Sequence, residues 1–195
     1  MNTIEKVETE IEVKKNHRYF SGFLLLLFLS AVVHADDFIT TDIIELSAGI
    51  GYYDFDADRN LDDSAMASMG LGLHFSRSWA MLLHYSALNT DSMVSGVSEH
   101  YDVQLYNVDV HRFFNTENHL RPYIVAGFGQ IDLISPSEDI NKNMLNAGAG
   151  LYYRMTPAWS LRTDVRIYAN TNGDYKDNAL TLTLGYRFNG GERGD

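Results

Sequence analysis

The sequence has no cysteine among its 195 residues. Disulfide scaffolds, thiolate zinc sites and thiol nucleophiles are therefore excluded. Positive charge is also scarce, because 15 Lys and Arg stand against 26 Asp and Glu, for a formal net charge of −11. Binding to nucleic-acid phosphates requires a basic patch, so this balance argues against a nucleic-acid partner.

Long apolar runs are missing as well. The mean hydropathy of −0.20 is too polar for a bundle of membrane helices. A membrane β-barrel is compatible with this value, because only half of each strand faces lipid. A length of 195 residues suits one domain of ordinary size.

One apolar segment, at residues 20–33, lies near the N-terminus within "KKNHRYFSGFLLLLFLSAVVHADD". It follows basic residues, precedes Ala35, and is shorter than the roughly 20 residues of a spanning helix. This layout predicts a secretory signal peptide over residues 1–35, cleaved after Ala35. The acidic start "MNTIEKVETEIE" fits a signal poorly, and we hypothesise an over-extended start site with true initiation near Val13. Residues 36–195 then form the mature domain.

The mature chain ends in "ALTLTLGYRF", where apolar and small or polar residues alternate. Alternation with a period of two predicts a β-strand, because successive side chains point to opposite faces. Each predicted strand is near the roughly 9–11 residues that cross a membrane when tilted. Eight such segments occur, at residues 43–53, 64–75, 79–88, 102–114, 122–133, 144–154, 159–169 and 179–188.

Two architectures accommodate eight strands of this kind: a soluble sandwich with the apolar faces inward, and a membrane barrel with those faces outward. The connections after strands two, four and six are short, whereas those after the odd strands, such as 54–63 and 89–101, are mostly longer and polar. This alternation is typical of outer-membrane barrels. Aromatic residues also cluster near strand ends on the apolar faces, as at a membrane interface. The predicted fold is an all-β, eight-stranded, antiparallel up-and-down transmembrane β-barrel.

Charged residues on the inward faces predict a polar network in the lumen. Eight strands enclose a space just wide enough for side chains to fill. Buried charges must pair, since an unpaired one is strongly destabilising. We therefore predict a lumen filled by side chains, with a narrow gated ion path as the alternative. The predicted network comprises Glu45, His84, Asp109, Arg162, Asp164, Arg166 and Arg187, and Arg154 is a further inward arginine.

Two patterns raise the possibility of a metal site. His74, His84 and His111 share the inward faces with Asp109, but their offset along the strands makes hydrogen bonding in the lumen the preferred interpretation. Alternate carboxylates in 54–63 resemble a calcium loop that lacks its glycine and final glutamate. We prefer a solvated acidic loop there. Loose divalent bridging to lipopolysaccharide is an interpretation intermediate between that loop and a calcium site. No metal site and no cofactor are predicted.

A barrel enzyme that modifies lipid A is a third class of function. The necessary residue types occur in one loop, which contains Asp91, Ser92, Ser95, Ser98 and His100. They have no diagnostic spacing, and three common residue types in one loop are weak evidence. No catalytic residue is therefore predicted, although the enzyme stays open as an alternative.

The eight-strand layout, the segment "RPYIVAGFGQID" after strand four and the closing "TLGYRF" resemble the small outer-membrane β-barrels of the OmpA transmembrane-domain, OmpX and Opa type. The resemblance spans about residues 36–188. It implies an outer-membrane location with both termini periplasmic, and an assembly signal at Tyr186 and Phe188 that the barrel assembly machinery reads. A tail, "NGGERGD", departs from relatives that end on the aromatic residue. Cell-wall tethering is not expected, because no peptidoglycan-binding segment follows.

The function expected from these features lies in the outer loops. Envelope integrity, adhesion and host interaction are the candidate roles, and the sequence does not select among them. The expected partners are outer-membrane lipid and lipopolysaccharide, and the expected state is a monomer.

Overall fold

The computed structural model describes residues 38–94, 97–136, 139–171, 173 and 175–188. The predicted signal peptide, the proposed start near Val13 and the tail after Phe188 lie outside these residues and stay predictions. Within the described part of the chain, no helix is long and apolar enough to cross a membrane.

Eight antiparallel strands pair in sequence order, and the last closes on the first to form a barrel. The predicted fold is confirmed. One short 3-10 helix, Ala57–Arg59, lies between the first two strands. The strands are β1 Phe38–Asp54, β2 Ser64–Ser76, β3 Trp79–Val94, β4 Val97–Phe113, β5 Leu120–Ile134, β6 Asp139–Arg154, β7 Trp159–Asn170 and β8 Lys176–Phe188.

Closure joins β8 to β1 over eleven residue pairs, from Ile44 opposite Phe188 to Asp54 opposite Asn178. The segment "ALTLTLGYRF" thereby completes the barrel. Hydrocarbon offers no hydrogen-bond partners, so an open strand edge would leave backbone N–H and C=O groups unsatisfied. A closed barrel has no such edge.

The period-two pattern assigns the two faces of each strand. Apolar residues on the outer face are exposed, as at Ile50 (68%) and Val165 (57%), whereas their polar neighbours in sequence point inward and are buried. Aromatic residues flank the outer apolar band. Near the end of β8, for example, Trp159, Tyr186 and Phe188 pack edge to face, with ring centroids 4.9 and 5.0 Å apart.

The prediction that 89–101 is a loop is wrong. β3 and β4 continue as a paired hairpin from Asn89 opposite Asp102 up to Val94 opposite Val97. The apolar-polar alternation fades there because the outward residues become polar where the strands leave the apolar band. Backbone hydrogen bonding does not require that alternation, so the ladder continues. β5 and β6 likewise extend to Ile134 and from Asp139.

The barrel has two distinct ends. The turn end contains the connections 77–78, 114–119 and 155–158, together with the C-terminal end of β8. The loop end contains the connections 55–63, 95–96, 135–138 and 171–175.

The interior is layered along the barrel axis. A loop-end cluster of apolar side chains lies beyond the buried charged residues, whereas a turn-end cluster lies beside them, with Leu82 opposite Asp109 and Tyr152 opposite Arg162 in the strand ladders. The loop-end cluster contains Tyr53, Phe55, Met66, Leu88, Val103, Leu105, Ile131, Leu133, Met144, Tyr168 and Ala179. The turn-end cluster contains Ala80, Leu82, Phe113, Tyr123, Val125 and Tyr152.

Candidate functional site

The layer of buried charged residues depends most on β7. Arg162, Asp164 and Arg166 occupy alternate positions of this strand, so all three side chains point into the barrel. Each is at most 2% exposed. Two arginines are thus held in a closed interior, where each needs a carboxylate partner to offset the loss of its hydration.

Glu45 is the partner of Arg162. Its Oε1 accepts a hydrogen bond from Arg162 Nη1 at 3.0 Å, although β8 lies between their strands. Gly185 on β8 leaves the room for this contact, since a Cβ placed there would lie 2.9 Å from Glu45 Cδ. Ser160 Oγ donates to the second carboxylate oxygen at 3.4 Å, and His74 Nε2 lies 3.3 Å from it.

Arg166 has two carboxylate partners, Asp164 and Asp109. The Asp109 carboxylate also accepts a hydrogen bond from Asn146 Nδ2 at 2.9 Å and lies 3.2 Å from His84 Nδ1. It extends over Gly127, where a Cβ would come within 2.1 Å of Asp109 Oδ1. A second hydrogen-bonded group therefore surrounds Arg166.

Several partners in this layer were not among the predicted network residues. Tyr123 donates its hydroxyl to Asp164 at 2.6 Å, although the sequence pattern marks it only as an aromatic residue on a largely apolar strand. Asn146, His74 and Ser160 are the others. Their inward positions could be read from alternation, but their partners lie on strands distant in sequence, so the pairing depends on the closed register.

Of the seven predicted network residues, the structure brings six into these two groups. Arg187 lies opposite Glu45 in the ladder between β1 and β8 but forms no ion pair with it. Arg187 is half-buried near the turn end, where its Nη1 lies 3.4 Å from the Tyr152 hydroxyl. Arg154 also lies at that end, on the last position of β6. Neither forms an ion pair with any described carboxylate.

The three inward histidines have different neighbours. His74 contacts Glu45, His84 contacts Asp109, and His111 stacks on the Tyr123 ring with centroids 5.0 Å apart. Both ring nitrogens of His111 are buried without a hydrogen-bond partner among the described residues. Within that part of the chain, no group of three or more His, Asp or Glu side chains is placed to hold a metal ion.

The loop end is covered by the connection between β1 and β2. Arg59 pairs with Asp177 at the start of β8, and its guanidinium lies over the rings of Phe55 and Tyr175, at 5.0 and 4.3 Å from their centroids. Asp177 is fully buried and also accepts hydrogen bonds from the Tyr53 hydroxyl at 3.0 Å and from a backbone N–H. The connection is therefore attached to β8 through buried polar contacts.

Asp56 strengthens this attachment. Its carboxylate accepts hydrogen bonds from the backbone N–H of Lys176 at 2.8 Å and of Asp58 at 3.1 Å. These two donors lower the pKa of Asp56 below its ordinary value, because they stabilise the ionised form. On the other side of the connection, Ser92 Oγ donates to the Asn60 carbonyl at 2.9 Å, which ties it to β3.

Two of the acidic residues suggested as calcium ligands, Asp54 and Asp56, have partners within the protein, and so does the neighbouring Asp63. Asp54 accepts a hydrogen bond from Asn178 Nδ2 at 3.2 Å, and Asp63 accepts one from the Phe55 N–H at 3.1 Å. Together with the two bonds to Asp56, these contacts stabilise the folded connection. The carboxylates of Asp54, Asp56 and Asp63 act here as acceptors for the protein's own donors.

The residues suggested for lipid A chemistry are only partly assembled. His100 Nδ1 lies 2.8 Å from Asp91 Oδ1, with both side chains more than half exposed. Ser92 is buried on the opposite face of the hairpin, so its hydroxyl does not face His100. The side chains of Ser95 and Ser98 lie outside the described residues.

Comparison with known families identifies the group to which this barrel belongs. Residues 21–188 match the model of the outer membrane protein beta-barrel domain. The chain belongs to this family. Its location is the outer membrane, as the resemblance of the sequence had implied.

Solved barrels have the same fold at low sequence identity. The N-terminal barrel of Pseudomonas aeruginosa OprF is 20% identical, with a TM-score of 0.54 over 75% of this chain and 97% of that one. Neisserial surface protein A is 12% identical, with a TM-score of 0.58 over 75% and 97%. Ail, the attachment invasion locus protein of Yersinia pestis, is 21% identical, with a TM-score of 0.50 over 76% and 100%. No curated protein sequence matches the chain.

Proposed function

We propose that this protein is a closed, non-conducting outer-membrane scaffold that acts through the surface of its loop end. The observation that carries the proposal is the loop-end cluster, which fills the lumen with apolar side chains. Val103, Leu105, Ile131 and Met144 are at most 1% exposed. An ion crossing this layer would lose its hydration without gaining polar partners, which is strongly unfavourable.

In this proposal the loop end faces the outside of the cell, and both termini lie in the periplasm. The segments beyond the apolar band support this orientation, since β3–β6 extend past that band at the loop end and the connection 55–63 also lies there, and outer-membrane barrels have their longer segments outside and short turns in the periplasm. The C-terminal end of β8 lies at the turn end, where Tyr186 and Phe188 would serve as the assembly signal for the barrel assembly machinery. The barrel is a monomer in this proposal, because closure leaves no strand edge for a second copy.

The surface that acts is the outer face of the extended strands β3–β6. Above the tyrosine pair Tyr85 and Tyr106, the outward side chains become polar, and Tyr106 donates its hydroxyl to Gln104 at 2.6 Å. Carboxylates are frequent among them. This polar surface contains Asn89, Asp91, His100, Asp102, Gln104, Gln130, Asp132, Asn141 and Asn143.

Its negative charge defines the partners it can contact. Lipopolysaccharide, which is anionic, would be bridged to this polar surface by divalent cations, and a host-cell partner would present positive charge. Envelope integrity, adhesion and host interaction are the roles compatible with such contacts. Ail has a similar fold and is named for attachment and invasion. We include a role in attachment among those proposed for this chain.

The closed lumen is tested by conductance in planar bilayers. The unmodified barrel should give no steady current, whereas the double change Leu105→Gly and Ile131→Gly should open a conducting path through the loop-end cluster. Leu83→Gly is the control, because it removes a leucine of similar size from the lipid face. Regular current steps from the unmodified barrel would contradict the closed lumen.

The polar surface is tested by titrating the refolded barrel with lipopolysaccharide in Mg²⁺ or in EDTA. Binding should require Mg²⁺ and should weaken when Asp91, Asp102 and Asp132 are all changed to Asn. Glu117→Gln, at the turn end, is the charge control. Binding that persists in EDTA, or that is equally strong in the triple variant, would remove this surface from the proposal.

A narrow gated pore is the second candidate. The charged layer favours it, because Arg162 Nε and Nη2 and Arg166 Nη2 are buried without a hydrogen-bond partner among the described residues. Such donors could attract water, and the pair Glu45 and Arg162 would then be the gate. Conductance that appears in Glu45→Gln with an intact loop-end cluster would support the pore over the closed scaffold.

Lipid A modification is the remaining alternative, and the exposed contact between Asp91 and His100 is the observation behind it. We propose no catalytic role for this pair. Lipid A extracted from cells with and without the protein should show the same acylation. A difference that disappears in His100→Ala would contradict the scaffold proposal.

A further inference from the structure

A cavity of about 330 Å³ opens at the turn end of the barrel, next to residues of the turn-end cluster. Four arginines line it: Arg77, Arg121, Arg154 and Arg187. The lining contains one carboxylate, Glu117, which is 82% exposed and lies 3.4 Å from Arg77. A concentration of positive charge at one cavity is unexpected in a chain with a net charge of −11.

Strand alternation places three of these arginines together. Arg121 lies two positions before the inward Tyr123 on β5, and Arg154 lies two positions after the inward Tyr152 on β6. Arg187 is on the inward face of β8, two positions after Gly185. Because residues two positions apart share a face, all three project to the inner side of the barrel at its turn end.

Arg121, Arg154 and Arg187 lack the carboxylate partners that three other arginines have. Arg59, Arg162 and Arg166 each pair with a carboxylate. No ion pair among the described residues includes Arg121, Arg154 or Arg187.

The hydrogen bonds of these side chains are also few. Arg121 donates from Nε to the Asn118 carbonyl at 3.0 Å, and Arg187 donates from Nη1 to the Tyr152 hydroxyl at 3.4 Å. Arg187 Nε is buried without a partner in the described part of the chain. Donors with fixed geometry and positive charge therefore face a cavity whose lining carries one carboxylate, that of Glu117, which is exposed and already pairs with Arg77.

We propose that the turn-end cavity binds a small oxyanion that carries phosphoryl or carboxylate groups. Such a ligand would reduce the mutual repulsion of the arginines and accept the paired N–H donors of the guanidinium groups. The volume is at the lower end of the range for small-ligand pockets. This site goes beyond the scaffold role, and its existence does not depend on which way the barrel is oriented.

The orientation decides the source of the ligand. If the turn end faces the periplasm, as proposed above, the oxyanion is either a free small phosphate compound or the headgroup of a lipid in the inner leaflet. Both sources offer the same oxygens to the arginines. Binding measurements in two lipid environments separate them.

The probe is pyrophosphate, titrated by calorimetry into the refolded chain in an uncharged detergent at low salt. One saturable site is expected. Arg154→Gln and Arg187→Gln should each weaken binding about tenfold, the loss expected when one charge-assisted contact is removed. Arg112→Gln is the matched control, since Arg112 lies outside the barrel, with its guanidinium 5.0 Å from the Trp79 ring centroid.

A shift on the gel before and after boiling will show that each variant is folded, and Arg121→Gln replaces either variant that is not. The absence of saturable binding, or an equal loss in Arg112→Gln, would overturn the proposal. Binding that appears only in a chain ending at Phe188 would also overturn it, because the carboxylates of Glu192 and Asp195 would then be the occupants.

The source is identified in nanodiscs of phosphatidylcholine with and without phosphatidylglycerol. Weaker pyrophosphate binding in the anionic discs would assign the cavity to a lipid headgroup. Equal binding in both discs would assign it to a free anion. Either outcome supports an oxyanion site, and neither depends on the conductance or lipopolysaccharide experiments.

Discussion

Arg162 and Glu45 form a buried ion pair at 3.0 Å that spans an intervening strand. Arg162 is on β7 and Glu45 is on β1, and Gly185 on β8 lies beneath the contact. The pair joins the two ends of the sheet on the inside of the barrel, in addition to the backbone ladder between β1 and β8. Several predictions depend on this arrangement or on the faces that produce it.

Glu45→Gln should destabilise the barrel by about 3–5 kcal/mol, because it leaves the Arg162 charge buried without its counter-charge. The free energy of unfolding in urea, measured in lipid vesicles, tests this. Changing both residues to Met should restore much of the loss. Arg77→Gln, at the exposed pair with Glu117, is the control and should cost at most about 1 kcal/mol. Equal effects of Glu45→Gln and Arg77→Gln would contradict the prediction.

Gly185→Ala should lower the free energy of unfolding by about 1–3 kcal/mol through overpacking. The added methyl group would lie 2.5 Å from Ser160 Oγ and 2.9 Å from the Glu45 carboxyl carbon. Gly72→Ala is the control, since its nearest contact is Leu82 Cγ at 3.3 Å. The same urea titration applies, and a larger loss for Gly72→Ala would show that Gly185 has no role in making room for the pair.

Leu182→Arg should cost about 2–4 kcal/mol if its position is near the bilayer midplane, because Leu182 is on the lipid face. Thr183 is its inward neighbour and is buried. Thr183→Ser should be nearly silent, and Thr183→Asn should be milder than the arginine. Folding stability in lipid provides the comparison. A greater loss for Thr183→Ser than for Leu182→Arg would mean that the faces of β8 are reversed.

Deletion of residues 189–195 should leave assembly intact, whereas a chain ending at Gly185 should fail to assemble. The longer deletion removes Tyr186 and Phe188, which lie opposite Leu46 and Ile44 in the closing ladder. It also removes the expected assembly signal. Heat-modifiability of the membrane fraction on a gel is the assay. A folded, membrane-resident band from the chain ending at Gly185 would refute both roles.

Asp56 should titrate below its ordinary pKa of 3.8, because two backbone N–H groups stabilise its carboxylate. A lowered pKa in the folded state means that the contact stabilises the connection above the ordinary pKa and loses this effect as the pH falls through the lower one. The amide proton shift of Lys176, followed by NMR from pH 6 to pH 2, should have its midpoint below 3.8. Asp56→Asn should abolish that transition, and a midpoint above 3.8 would contradict the assignment.

The faces of the strands could be predicted from the sequence because alternation is local. Leu182 and Thr183 are adjacent, so their side chains lie on opposite faces of the strand, whichever strands it pairs with. The number of strands was equally accessible, and it led to the closed barrel. The inward positions of Glu45 and Asp164 followed from the same rule.

The partners of those inward residues could not be predicted, because they depend on register and on the space left by residues of other strands. Arg187 was grouped with the lumen charges and does lie opposite Glu45 in the closing ladder, but its side chain contacts the Tyr152 hydroxyl and not the Glu45 carboxylate. The acidic connection 54–63 suggested a calcium loop, and nothing in its sequence indicates that Arg59 within it pairs with Asp177, which lies 118 positions further along the chain. The extended hairpin at 89–101 was missed because its outward residues are polar.

The sequence by itself determined which residues face lipid and which face inward, since that depends only on the two-residue period of a strand and on the contrast between hydrocarbon and a shielded interior. The tertiary structure alone decided how the interior is divided. Closure of β8 on β1 brings the apolar inward residues of the loop end into one cluster, the carboxylates opposite the arginines of β7, and three arginines without such partners to the turn end. Those groupings depend on the register of all eight strands around the ring, and no single segment of the chain contains that information.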